Sequence, residues 1–171
     1  MSYRTYTYLA ADWDNDIEVI EKLRSWNDSD YWGLSFKDAH DLTQAKDTTK
    51  NCNIKSSLGD RMDVSKTFVL IVGDKTKTLR AGSCYYCDDY SYSSHGCKHG
   101  WSISNKSYIE YECDKAVRDG LKIIVIYNSA YVFKDRCPNA VANKGTHIAG
   151  YHWDGQIKKW NYKDIKDAIM N

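Results

Sequence analysis

The sequence has little that would divide the chain or carry it across a membrane. A single proline occurs among 171 residues, and no repeat or low-complexity linker is visible. The longest apolar runs, "TFVLIVG" and "LKIIVIY", are too short to span a bilayer. The N-terminal "MSYRTYTYLAADWDND" also lacks the apolar centre of a signal peptide. We therefore expect one domain over residues 1–171, in the cytoplasm, with no membrane partner.

The chain also lacks a strong excess of charge and the common phosphate-binding motifs. Its formal net charge is +1 and it has no long basic run, so nucleic acid is not an expected partner. Neither G-x-G-x-x-G nor G-x-x-x-x-G-K occurs, so a Rossmann cofactor site or a P-loop is not predicted. Hydrophobic residues make up 42%, which is typical of a globular protein.

What the sequence does contain is an alternation of strand and helix patterns. Two continuous apolar runs, at residues 67–73 and 122–127, predict strands that are buried on both faces of a parallel sheet. Further strands are predicted at residues 3–11, 31–36 and 147–153. Helices are predicted after the capping-box spacing of Asn15 and Glu18, around Ile54, Leu58 and Met62, within residues 104–121, and in "NYKDIKDAIM". This order predicts an α/β fold, flavodoxin-like and doubly wound, with a mainly parallel five-stranded sheet.

The third helix carries three closely spaced carboxylates. With 100° per residue, Asp114 falls outside the apolar stripe, whereas Glu110 and Glu112 lie at its opposite borders. A carboxylate at such a border is partly desolvated, which raises its pKa and can suit it to catalysis. It can equally belong to an ordinary helix surface. Periodicity alone does not choose between Glu110 and Glu112.

Two segments of the chain resemble a known family. "IKSSLGDRMDVSKTFVLIVGDKT" and "SYIEYECDKAVRDGLKIIVIYN" are similar to the TIR fold, and more narrowly to the bacterial TIR-like proteins that include the Thoeris anti-phage sensor. In that pattern an aromatic-x-x-aromatic-Glu sequence opens a helix, and "YIEYE" matches it. The resemblance places Glu112 at the catalytic position of the family.

The resemblance implies chemistry on NAD. TIR enzymes break the bond between nicotinamide and ribose, and some cyclise or transfer the ADP-ribose to make a signal. A carboxylate near the ribose can stabilise the oxocarbenium-like charge left by the departing nicotinamide. We therefore expect NAD as the substrate, a nucleotide messenger for a separate effector protein, and self-association of the chain.

Candidates for the rest of the nucleotide site are less closely defined. Asp12 and Trp13 follow the first strand and are candidates by position only. Phe36, in "FKDAH", could stack on a ring or belong to the core. Tyr108, the first aromatic of "YIEYE", is a candidate through the resemblance.

A Cys/Tyr-rich insertion is predicted at about residues 82–101, "GSCYYCDDYSYSSHGCKHGW". It is long for a loop in a compact domain and has no aliphatic residue to bury. Cys84 and Cys87 form a C-x-x-C pair, and Cys97 with His99 or His95 could complete a structural zinc site. The alternative is a flexible, tyrosine-rich loop with free thiols.

Two other functional classes compete with NAD cleavage. Asp12, Asp14 and Asp74 follow predicted strands, as in the magnesium pocket of a phospho-receiver, with Ser129 after the next strand. No clear Lys-Pro follows the fifth strand, which argues against a receiver. The other alternative is a TIR-like scaffold without catalytic activity.

Overall fold

The computed structural model describes residues 3–39, 50–100 and 102–171. Within these ranges the strands are β1 (Tyr6–Ala10), β2 (Ser65–Val72), β3 (Tyr90–Ser91), β4 (Gly96–Cys97), β5 (Lys122–Tyr127), β6 (Thr146–Ala149), β7 (Tyr151–Asp154) and β8 (Ile157–Trp160). The α-helices are α1 (Ile17–Asn27), α2 (Asn51–Asp63), α3 (Tyr108–Arg118) and α4 (Tyr162–Met170).

The central sheet is parallel and has the strand order β1-β2-β5-β6. One face packs against α1 and α4, and the other packs against α2 and α3. Because both faces are covered, β2 and β5 are buried along almost their whole length, which explains their continuous apolar sequences. The predicted flavodoxin-like α/β fold is confirmed.

The predicted strand at residues 31–36 does not form. The chain there is irregular, and only Asp38 makes a single parallel bridge, to Thr7 of β1. Side chains of α1 hold this segment instead: Asn27 bonds both to the N–H of Phe36 (2.7 Å) and to its carbonyl (3.1 Å). The sheet therefore has four strands in the described ranges, where the sequence predicts five.

The strand predicted at residues 147–153 is interrupted at Gly150. The Gly150 N–H donates to the carbonyls of Tyr127 (2.8 Å) and Ser129 (3.0 Å), so the chain leaves the edge of the sheet at this residue. A Cβ at this position would lie 2.5 Å from the Tyr127 carbonyl oxygen, so the turn requires glycine. Beyond it, β7 and β8 form an antiparallel hairpin that turns at Gly155, where φ is +61°.

The helix starts differ from the sequence prediction in one case. The capping box predicted at Asn15 and Glu18 is wrong, since α1 begins at Ile17 with Asp16 as N-cap and no side-chain cap bond. The Asn15 side chain donates to Asp12 (2.5 Å) instead. A capping box is present at α3, between Ser107 and Glu110.

The insertion is folded through residue 100, and Trp101 lies outside the described residues. It contains a 3-10 turn at Cys84–Tyr86 and the short β3–β4 pair. Tyrosine rings fill the place of an aliphatic core: the ring of Tyr90 lies 5.1 Å from that of Tyr85 and 5.0 Å from that of Tyr92. These edge-on contacts give the segment a small aromatic cluster of its own.

Candidate functional site

The first turn of α3 is built around a reciprocal cap. The Ser107 hydroxyl accepts a hydrogen bond from the Glu110 N–H (3.1 Å), and the Glu110 carboxylate accepts one from the Ser107 N–H (2.8 Å). Arg80 lies 3.7 Å from the other Glu110 oxygen, and the Glu110 side chain is 37% exposed. Glu110 is therefore a capping residue that faces water.

The second turn of α3 places Glu112 in the interior. Glu112 is only 6% exposed, and its carboxylate accepts a hydrogen bond from the hydroxyl of the fully buried Tyr8 at 2.5 Å. Burial raises the pKa of Glu112 to about 7, although the bond from Tyr8 acts to lower it. Both protonation states are therefore populated near neutral pH, a property common among catalytic carboxyl groups.

The Tyr8–Glu112 pair joins α3 to the middle of β1. The Tyr8 ring stacks on that of Phe68, with centroids 6.0 Å apart, within the core between the sheet and the α2–α3 layer. Because Glu112 is only 6% exposed, a substrate can reach its carboxylate only after the residues that pack over it have moved.

Tyr108 lies on the same side of α3 as Glu112, since the two are four residues apart. Its hydroxyl donates to the Asn51 side chain at the start of α2 (2.8 Å). Its ring packs against Gly82, where φ is +97° and a Cβ would lie 2.6 Å from the ring. Tyr108 thus links the insertion, α2 and the helix that carries Glu112.

Asp12 and Trp13 lie at the carboxyl end of β1, where the sequence places them. Asp12 is largely buried and accepts hydrogen bonds from the Asp14 N–H (3.2 Å) and the Asn15 amide (2.5 Å). The Trp13 ring lies under the guanidinium of Arg24, with 5.1 Å from the guanidinium carbon to the ring centroid. These contacts shape the loop, and a role in nucleotide binding stays a prediction.

Phe36 lies on the other side of the sheet from Glu112. Its side chain packs against the core cluster between the sheet and the α1–α4 layer, whereas Tyr8 and Glu112 face α2 and α3. The structure therefore does not bring Phe36 and Glu112 together. The end of the predicted "FKDAH" loop, His40, lies outside the described residues.

The predicted zinc ligands line one cavity of about 400 Å³ between α2 and the insertion. Cys84, Cys87, Cys97 and His99 contribute to its wall, together with Cys52 from α2. The four cysteines are free thiols, and the His99 ring lies 3.1 Å from the Lys50 ammonium and 3.4 Å from Asp89. In the part of the chain that the structure describes, no three His, Cys, Asp or Glu side chains are arranged to hold a metal ion. Zinc at this cavity stays a prediction.

The acidic residues of the receiver alternative have other partners. Asp12 holds its own loop, Asp74 pairs with Arg136, and Asp14 is exposed. No metal-binding group forms from the carboxylates within the described ranges. The geometry therefore does not favour a phospho-receiver.

Sequence reasoning missed a buried carboxylate between the ends of β1, β2 and β5. Asp16 is 3% exposed, and its Oδ1 accepts a hydrogen bond from the Asn128 amide (2.9 Å). Gly73 gives it room, since a Cβ there would lie 2.1 Å from Asp16 Oδ1. The available signal was Gly73 itself, a glycine placed directly after a buried strand. Tyr8 was also missed, because nothing local to β1 indicates a partner 104 residues away.

Comparison with known proteins agrees with the fold and with the predicted resemblance. Residues 1–81 match the family described as "Thoeris protein ThsB, TIR-like domain". The match covers β1 to β2 and ends at the insertion, so it does not include α3. No curated protein matches the chain. Among the described residues, no helix is both long and apolar enough to cross a membrane.

Proposed function

We propose that this chain, whose residues 1–81 match the TIR-like domain of the Thoeris protein ThsB, is a signalling module of anti-phage defence that cleaves the nicotinamide–ribose bond of NAD. Glu112 is the proposed catalytic residue. The observation that carries this assignment is the separation of the two candidate glutamates: Glu110 caps α3 in contact with water, whereas Glu112 is buried with a pKa near neutrality.

The chemistry requires one carboxylate and no general acid. When the glycosidic bond breaks, its electron pair neutralises the pyridinium nitrogen, so nicotinamide leaves as a neutral molecule and the ribose carries positive charge. An ionised Glu112 stabilises that charge, and it does so more strongly in a water-poor site. Water, a group within ADP-ribose or another small molecule then captures the ribose carbon.

The buried position of Glu112 sets a condition on this mechanism. NAD has to displace whatever covers the carboxylate, and the bond from Tyr8 must persist or be replaced as the ribose arrives. Activity would then depend on a change that opens the second turn of α3. Such a requirement suits a sensor that is silent until phage infection supplies the trigger.

The proposal extends to the product. We propose that it is an ADP-ribose-derived messenger that a separate effector protein reads, and that self-association accompanies activity. Burial of Glu112 supports this route, because exclusion of water favours cyclisation or transfer of the ADP-ribose over hydrolysis.

One observation favours a second candidate, a TIR-like scaffold without catalytic activity. The Glu112 carboxyl is satisfied by Tyr8 inside the core, which is also what a purely structural glutamate would show. In that case the chain would signal through protein contacts, and replacing Glu112 would affect stability but no product.

The experiment that separates these candidates uses cells challenged with phage. Small molecules filtered from cells that express the wild type should activate a partner effector, and filtrates from cells expressing Glu112→Gln should not. Equal effects of both filtrates would favour the scaffold. Plain ADP-ribose as the sole product would leave an NAD hydrolase and remove the messenger.

A further inference from the structure

Four of the six cysteines line the cavity between α2 and the insertion: Cys52, Cys84, Cys87 and Cys97. The other two, Cys113 and Cys137, are fully buried in the core. The four thiols are therefore concentrated at one accessible place, and the NAD chemistry proposed above uses none of them.

A disulfide makes smaller geometric demands on this cavity than a metal does. A zinc site needs about four converging donors, and no group of three is arranged for that in the described residues. A disulfide needs two thiols whose Cα atoms are about 4.4–6.8 Å apart. The chain brings Cys84 and Cys87 close to this range, because the Cys87 N–H donates to the Cys84 carbonyl (3.0 Å) and the Cα atoms at the ends of such a turn lie within about 7 Å.

The Cys84 sulfur is held at the wall of the cavity by a backbone donor. It accepts a hydrogen bond from the Ser104 N–H at 3.2 Å, and the side chain is partly exposed. An N–H donor at a sulfur stabilises the negative charge that it carries as it attacks an electrophile.

We propose that Cys84 and Cys87 form a reversible disulfide when the protein meets a peroxide, with Cys84 as the attacking thiol and Cys87 as the resolving thiol. The Cys84 sulfur attacks one peroxide oxygen, the O–O bond breaks, the thiol proton passes to the departing oxygen, and a sulfenic acid and water form. The Cys87 thiol then attacks that sulfur and releases a second water. Two thiols lose two electrons in total, and hydrogen peroxide takes them up.

Oxidation at this turn reaches α3 through a short chain of hydrogen bonds. The Cys84 N–H donates to the Ser104 carbonyl (2.9 Å), and the Tyr108 N–H donates to the Ala81 carbonyl (2.8 Å). In the disulfide, the Cys84 sulfur is a weaker acceptor for the Ser104 N–H. The segment that leads into the Ser107 cap therefore loses one of its anchors.

The first test treats the purified full chain with hydrogen peroxide and identifies linked peptides by mass spectrometry. We expect a Cys84–Cys87 link in the wild type and in Cys52→Ser, and none in Cys84→Ser or Cys87→Ser. Cys52 is the matched control because it lines the same cavity and is more exposed. If exposure alone governed reactivity, peroxide would oxidise Cys52 first, whereas we expect the Cys84–Cys87 link to form first.

The second test measures hydrogen exchange with and without peroxide, which does not depend on the proposed NAD chemistry. Amide exchange at Ser104 should become about fivefold faster on oxidation, the change expected for one lost hydrogen bond. Cys87→Ser should show no such change. Random pairing with Cys52 or Cys97, unchanged exchange in the oxidised wild type, or one equivalent of zinc that Cys84→Ser releases would each overturn the proposal.

Discussion

The first and second turns of α3 carry glutamates only two residues apart, and the two side chains have opposite surroundings. Glu110 is held by Ser107 in a cap that faces water and Arg80. Glu112 is held by Tyr8 in the core, where burial raises its pKa to about 7. The comparison shows that the pKa of a carboxylate on a helix depends on the residues that pack around it. The position of the carboxylate along the helix does not by itself indicate that pKa.

The largest effect on stability is expected at Glu112 and depends on pH. Because the folded pKa of about 7 lies above the ordinary value of 4.5, the unfolded chain loses this proton first as pH rises. The stability contribution is therefore full below pH 4.5 and falls through pH 7, by roughly 3 kcal/mol in all.

Glu112→Gln should remove this loss. In urea unfolding, its free energy of unfolding relative to the wild type should rise between pH 4.5 and 7 and then level off. Glu110→Gln, which alters a half-exposed side chain two residues away, is the matched control and should not reproduce that rise. A flat difference for Glu112→Gln would contradict the buried, shifted carboxyl.

Tyr8→Phe should have the next largest effect. It removes the hydroxyl that donates to Glu112 and leaves a buried carboxyl without that hydrogen bond, which costs about 1–3 kcal/mol at neutral pH. The pKa of Glu112 should also rise further, since the Tyr8 bond lowers it. Urea unfolding tests the cost, with Tyr131→Phe, at an exposed tyrosine, as the control. Equal stabilities of Tyr8→Phe and Tyr131→Phe would show that the Tyr8–Glu112 hydrogen bond contributes little to the free energy of unfolding.

Ser107→Ala should cost less, about 1 kcal/mol, through loss of the cap on the first turn. Thermal unfolding should show the decrease, while Ser102→Ala, at an exposed serine outside the helix, should stay close to the wild type. Because the cap has no proposed role in catalysis, folded Ser107→Ala should also retain most of the NAD cleavage of the wild type.

The smallest effect is expected for Arg80→Ala. Arg80 and Glu110 are 3.7 Å apart and both side chains are substantially exposed, so solvent screens their attraction. The change in unfolding free energy should stay below about 0.5 kcal/mol. A loss of stability as large as that of Tyr8→Phe would mean that solvent screens the Arg80–Glu110 pair less than the exposure of the two side chains indicates.

The sequence predicted the parallel α/β fold because its strongest signals are local. The apolar runs at β2 and β5 are continuous for the simple reason that both faces of these strands are covered. The prediction of a strand at residues 31–36 is wrong because contacts from α1, through Asn27, override the local preference. The break at Gly150 depends on a carbonyl of β5, which no local pattern indicates.

The candidate site was predictable only in part, for a related reason. Periodicity limited the choice to two border glutamates, and the resemblance favoured Glu112. The two glutamates differ in their partners. Glu110 pairs with Ser107 in the helix cap, whereas Glu112 pairs with Tyr8 in β1, which is 104 residues away. Such a pairing exists only once the sheet has formed.

The most direct test of the account is nicotinamide release from NAD by the wild type, Glu112→Gln and Glu110→Gln, each isolated from phage-challenged cells and checked for folding. We expect release by the wild type that increases as pH rises through about 7, as Glu112 ionises. Glu110→Gln should keep most of that activity, and Glu112→Gln should lose it, by at least about a hundredfold. Equal activity of the two variants, or full activity of Glu112→Gln, would contradict the assignment of Glu112 as the catalytic residue.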